Sequence, residues 1–234
     1  MGVFRRLFYA ALCAGLLAGL CAAAAHQIGT VPIILQAEVY EAAAQHAAAS
    51  GHSHDDPAAH EAAAWAPQDG VERVALTLVG DLLTGVGFAL LLAAGFVLRR
   101  GDIGWREGVF WGLAGFAAFT LAPGLGLPPE LPGTEAAPLL ARQFWWVATA
   151  TATGGGLALL AFSRRPVAMV IAAILIVAPH LYGAPQPIDH AAAAPESLAR
   201  QFVVAATMAS FLFWVVLGAS SGYFYRRFVA PASY

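Results

Sequence analysis

Four stretches of this chain stay apolar for about 20 residues, the length a helix needs to cross a hydrocarbon core about 30 Å thick. They lie within 7–26, 74–98, 143–163 and 201–225. Two shorter runs, 108–122 and 167–181, each meet a proline. A soluble globule of 234 residues, 59% hydrophobic and 11% charged, would lack the polar surface to cover itself. The sequence therefore predicts an all-α integral membrane protein, a single membrane domain over 1–234 with about six transmembrane helices in a lipid bilayer. Tilt or local thinning accommodates the short spans. The alternative for the first run is a removed signal peptide, since Arg5-Arg6 precede it and Ala22 to Ala25 follow. Cys13 and Cys21, inside that run, read as small packing residues.

Charge supplies the orientation. The chain has no lysine, and nine of its twelve arginines sit at one set of helix ends: Arg5, Arg6, Arg99, Arg100, Arg106, Arg164, Arg165, Arg226 and Arg227. Cytoplasmic ends carry such an excess, so both termini are expected in the cytoplasm. Eleven of the fourteen acids and all seven histidines fall at the other ends or in the loops joining them. An acidic, histidine-bearing outer face attracts divalent cations and repels nucleic acid, which is excluded as a partner.

The spans also repeat. Arg73, Arg142 and Arg200 each open one, and arginine pairs at Arg99, Arg164 and Arg226 close it after 26, 22 and 26 residues. In two copies an apolar helix is expected to end at Ala-Pro, at Ala122-Pro123 and Ala178-Pro179, before a loop and a new helix opening Leu-Ala-Arg-Gln-Phe at Leu140 and Leu198. Phe4-Arg5 and Ala14-Gly15 have counterparts in Trp105-Arg106 and Ala114-Gly115. Three helical hairpins follow: 7–26 with 74–98 across a long outer loop 27–73, 108–122 with 143–163, and 167–181 with 201–225. Sites in transport proteins form where such repeats meet.

Candidate ligands cluster in the outer loops. The first contains a short helix placing Glu38 and Glu41 on one face, then GHSHDDPAAHE with His52, His54, Asp55, Asp56 and His60. Imidazole nitrogen and carboxylate oxygen are ligands that Co²⁺, Ni²⁺ and Zn²⁺ all accept. His26, His180 and Glu130, the last set among Pro128, Pro129 and Pro132, are further metal candidates near the outer helix ends. Asp81 lies within a span, where an ionisable group is costly unless it is paired or faces a watery cavity. With Glu38 and Glu41 it is the transport-path candidate; the structural reading pairs it with Thr77, Thr149 or Thr207. Thr149, Thr151, Thr153 and Gly154 to Gly156 read as helix packing. Arg73, Arg142 and Arg200 oppose the orientation bias and read as structural latches: Arg73 to Glu72 or Asp69, Arg142 to Glu130 or Glu135, and Arg200 to Glu196. Neither a nucleophile with its base, a zinc-enzyme spacing nor a nucleotide loop is present, so no enzyme is expected.

The opening FRRLFYAALCAGLLAGL, the PIILQAEVYE segment, the WREGVFWGLAGFAAFTLAPGLGLPPELPG block with RQFWW, and the APHLYGAP turn together resemble the CbtA family of predicted cobalt transporter subunits. The resemblance covers nearly the whole chain. It implies a multi-pass protein of the bacterial inner membrane that supplies Co²⁺ for cobalamin synthesis beside a small single-span, histidine-bearing CbtB partner. The family is commonly described with five spans. The expected function is a permease subunit for divalent transition metals, with the His/acid loop capturing the ion; Ni²⁺ and Zn²⁺ stay open, as does a homo-oligomer. Two other readings are a haem-binding electron-transfer subunit using His26 and His180, and a scaffold or sensor that binds metal without transporting it.

Overall fold

Two internal π turns shape the molecule, and each stands next to a proline. The computed structural model describes residues 2–50, 70–99, 101–188 and 191–229. Helix α1 (Val3–Ala25) passes through a π turn, His26–Thr30, directly into α2 (Val31–Ser50). Helix α4 (Trp105–Phe116) passes through a second, Ala117–Leu121, into α5 (Ala122–Gly126). A proline lacks an N–H and its ring collides with the carbonyl four residues back in a regular α-helix. Just before Pro32, the Val31 amide donates to the His26 carbonyl; just before Pro123, the Ala122 amide donates to Ala117. Reaching five residues back widens the helix where the collision would occur, so it continues. This differs from the sequence expectation at both places. Residues 27–50 are helical, and the chain stays helical through Ala122-Pro123 to Gly126. Pro179 likewise lies inside α7 (Pro166–Tyr182), which runs on to Tyr182.

The remaining helices are α3 (Val71–Arg99), α6 (Leu139–Phe162) and α8 (Glu196–Phe228). Among the described residues five helical stretches are long and apolar enough to cross a membrane: Val3–Ala47, Val71–Arg99, Trp105–Gly126, Leu139–Phe162 and Glu196–Phe228. Continuation through the second π turn makes the third of these 22 residues long. Helix α7 is shorter and apolar, at 17 residues. The chain is thus an all-α membrane protein.

Pairing in space follows pairing along the chain only in part. Helix α1 lies along α3 and α8, α4 lies along α8, and α6 lies along α7. Small residues set these contacts, because in lipid the association of helices rests on close backbone approach. The buried face of α1 is Ala10, Ala11, Ala14, Gly15, Ala18, Gly19, Ala22 and Ala23. A side chain at Gly15 would strike the α3 backbone at Gly85 and Val86. Gly108 and Gly112 of α4 meet Gly218 and Gly222 of α8 in the same way. Gly156 of α6 packs on Ile176 and the fully buried Ala172 of α7. Aromatics fill what the small residues leave: Phe96 is fully buried between Trp111 and Tyr225, at ring distances of 5.5 and 5.4 Å.

At the end opposite the arginine pairs, the loops before α6 and α8 join. Glu135 donates its amide to Ala191 at 3.0 Å and Ala193 to Gly133 at 3.1 Å, forming a short antiparallel bridge. Gly133 adopts a left-handed φ of 74° there, against Glu41 of α2. Ala37, Leu131, Ala194 and Leu198 make a second small core under the bridge.

Candidate functional site

Three cavities lie in sequence between the two ends of the helix bundle. The one at the loop-bearing end, termed outer after the orientation that the charge pattern predicts, is about 670 Å³ and opens among Pro128, Pro129 and Glu130 of the loop, with Arg142 and Gln143 of α6 and Thr207 of α8 on its walls. The inner one, about 630 Å³, is walled by α3, α4 and α6 and carries Arg99 and Glu107 at the arginine-rich end. Between them is a small cavity of about 220 Å³ lined by His26, Asp81, Thr84, Thr120 and Ser210 among apolar neighbours. Thr120, Trp146 and Ser210 line both the small and the outer cavity. Phe88 and Trp214 line both the small and the inner one.

Within the small cavity, Nδ1 of His26 stands 3.0 Å from Oδ2 of Asp81. The two residues lie 55 positions apart and meet because α1 and α3 approach at Gly15, Gly19 and Gly85. Asp81 is 16% exposed, so the pairing and the small cavity together meet the cost of a carboxylate at this depth. The π turn starts at His26, and Thr30 returns its hydroxyl to the His26 carbonyl at 3.2 Å. With the proton on Nδ1 donated to Asp81, Nε2 presents its lone pair. A carboxylate behind an imidazole in this way is the usual device for orienting a metal-ligating histidine.

The outer arginines occupy ion pairs of unequal character. Arg142 meets Glu130 at 3.0 Å and joins α6 to the loop rim of the outer cavity. Arg73 meets Glu38 at 2.8 Å and joins α3 to α2. Arg200 meets Glu196 at 3.3 Å within one exposed turn of α8. Exposed pairs of that last type contribute little, whereas half-buried pairs linking separate segments reach the upper end of the range. Glu130→Gln is expected to lower the stability of the detergent-solubilised protein by about 1 kcal/mol, and Glu196→Gln to change it by less than about 0.5 kcal/mol. Thermal unfolding of the two variants side by side checks the difference.

Other residues singled out in the sequence are dispersed. His180 stands edge-on to Trp145 at 6.0 Å, and Trp145 donates its indole N–H to the Pro179 carbonyl at 3.3 Å. His180 lines none of these three cavities. Glu41 accepts from Gln45 at 3.4 Å. The described residues contain no group of three or more His, Cys, Asp or Glu side chains placed to hold a metal ion, so His26, Glu130 and His180 do not converge. Of the threonines considered for Asp81, Thr207 donates instead to the Val203 carbonyl at 2.7 Å. His52, His54, Asp55, Asp56 and His60 lie outside the described residues, as does Asp69.

Thr84, Thr120 and Ser210 are cavity residues that sequence reasoning passed over. Each is a hydroxyl in a largely apolar helix, a common pattern for helix packing. Only the folded arrangement brings three of them to one space.

The family model described as "Probable cobalt transporter subunit (CbtA)" matches residues 4–226, nearly the whole chain. No curated protein and no solved structure matches it.

Proposed function

Since the chain belongs to the CbtA family of probable cobalt transporter subunits, we propose that it is the permease subunit of a Co²⁺ uptake system and that His26 and Asp81 form the station where the ion pauses. The observation carrying this reading is their 3.0 Å pairing in a cavity adjoining the larger outer one. Nε2 of His26 ligates the ion, Asp81 orients the imidazole and offsets the charge, and the hydroxyl oxygens of Thr84, Thr120 and Ser210 replace part of its hydration. A site with one imidazole, one carboxylate and weak oxygen donors suits passage, because an ion that binds too tightly does not leave.

In this reading the ion enters from the acidic outer side, first meeting the His52 to His60 segment that joins α2 to α3. It then passes the Glu130 rim into the outer cavity. Arg142, held on Glu130, is thereby kept from presenting an unpaired positive charge to the ion. Supply of cobalt for cobalamin synthesis, an inner-membrane location and a small single-span, histidine-bearing partner of the CbtB type belong to the same proposal. The partner has a physical task, since among the described residues this chain supplies one strong ligand at the station, Nε2 of His26, with Asp81 engaged behind the ring. An inside-negative potential supplies the driving force: about 2.3 kcal/mol per charge per 100 mV, hence about 4.6 kcal/mol for a dication.

The decisive measurement is radiocobalt uptake by proteoliposomes holding this chain with its single-span partner. Uptake above empty vesicles, increased by an inside-negative potassium diffusion potential, is expected. Uptake no greater than that of empty vesicles, with both chains incorporated, would overturn the proposal.

A further inference from the structure

Phe119 lines all three cavities. It sits within the second π turn, next to Thr120. Its ring lies nearly parallel to that of Trp214, at 5.7 Å and 11°, with Phe88 edge-on at 5.1 Å and Trp146 at 6.1 Å. Phe88 in turn touches Trp214 at 4.7 Å. The Trp214 indole donates to the Thr120 hydroxyl at 3.3 Å, so ring and π turn are tied across α8 and α4. A side chain at Gly115, one turn before, would strike the Trp214 ring, and this glycine is what admits the indole.

We infer that the stacked rings of Phe119 and Trp214, closed at the side by Phe88, are the gate of the transport path, shut in this conformation between the His26–Asp81 station and the inner cavity. It rests on the transport reading above and adds how the path is closed. A hydrated dication does not cross a constriction of aromatic carbon, where nothing replaces its water and where water itself is expelled. Polar groups reach the outer side of the rings through Thr120 and Ser210, and the inner side through Arg99 and Glu107. The gate ring is also mounted on backbone suited to movement. Pro123, four residues beyond Phe119, has no N–H to bond the Phe119 carbonyl, and π turns recur where helices change shape in function.

Sidedness of thiol labelling tests this without cobalt. Cys13 and Cys21 are replaced by alanine, and single reporters are placed as Ala206→Cys in the outer cavity and Ala158→Cys in the inner one. With Phe119 in place, a membrane-impermeant thiol reagent is expected to reach each reporter from its own side only. In Phe119→Ala, labelling of Ala158→Cys from the loop-bearing side is expected to rise about tenfold, as removal of a hydrophobic constriction lets the passage wet. Should that variant not accumulate, Phe119→Leu retains an apolar plug without the stacking ring, and a rise of about threefold is expected. Labelling from the loop-bearing side that stays at background, while the reporter still labels from the arginine-rich side, overturns the gate. Because cobalt takes no part, absent uptake with altered sidedness would defeat the transport reading alone, and normal uptake with unaltered sidedness the gate alone.

Discussion

Replacing Gly218 by valine is expected to remove about 3 kcal/mol of stability and to lower the amount of folded protein in the membrane several-fold. The Cβ of any residue at this position would strike the Gly108 carbonyl oxygen and stand 2.9 Å from both the Cα and the amide nitrogen of Gly112. Those obstacles are backbone, which cannot rotate aside as a side chain does. Helix α8 would have to move off α4, and it also holds Ser220 against the α1 carbonyl of Ala14. Displacing α8 therefore loosens two helix contacts together. A loss of about 3 kcal/mol is a large part of a total that for folded proteins is roughly 5–15 kcal/mol. Gly80→Ala and Gly87→Ala are the controls, since a Cβ at either meets nothing within 4 Å. They are expected to shift stability by less than about 0.5 kcal/mol. Monodisperse yield in detergent and unfolding in mixed micelles measure all three. A Gly218→Val protein as stable as the two controls would show that α4 and α8 do not meet as described.

Much of the architecture is legible because it depends on quantities that belong to single segments. Apolar length marks the spans, and opposite charges close in sequence come together, as Glu196 and Arg200 do one helical turn apart. Glu130 and Arg142 are near enough that the intervening loop returns one to the other. For Arg73 the sequence points to neighbours in the chain, Glu72 or Asp69, and the structure adds a partner from another helix. Glu38 stands 35 residues earlier, and α2 brings it there only because the first helix does not stop at His26. That continuation was hidden for a physical reason. An X-Pro pair after an apolar run signals a helix end in α geometry, and one residue of π register removes the conflict.

The candidate site shows the same division. His26 and Asp81 each stand out alone, one by its chemistry at a helix end and the other by its cost inside a span. Their pairing is set by where α1 crosses α3, at Gly19 against the Asp81 backbone and at Gly85 one turn further on, and nothing in either stretch alone says that the two meet. Phe119 and Trp214 are less legible still. Aromatic residues are abundant in these helices, and nothing local separates two gate rings from the aromatic packing around Phe96. Position among three cavities makes the distinction.

The strongest expected effect on transport comes from His26. His26→Gln is expected to reduce the initial rate of cobalt uptake at least tenfold, roughly the range for loss of a metal-site interaction. Glutamine is chosen over alanine because its amide N–H can still donate to Asp81, so the carboxylate keeps a partner and the fold is spared an orphaned charge. What the change removes is the imidazole lone pair at Nε2. Asp81→Asn separates the second role. The amide oxygen can still accept the Nδ1 proton and hold the ring, but the negative charge that offsets the ion is gone. Weaker binding with an intact orientation should raise the cobalt concentration at half-maximal uptake by about tenfold and leave the maximal rate nearer to that of the parent protein. The paired measurement is uptake against cobalt concentration for the two variants, each at equal amounts of folded protein in the vesicles. Parent-like kinetics in both would remove the station from the path. A large loss in Asp81→Asn with none in His26→Gln would make the carboxylate itself the ligand and the histidine only its anchor.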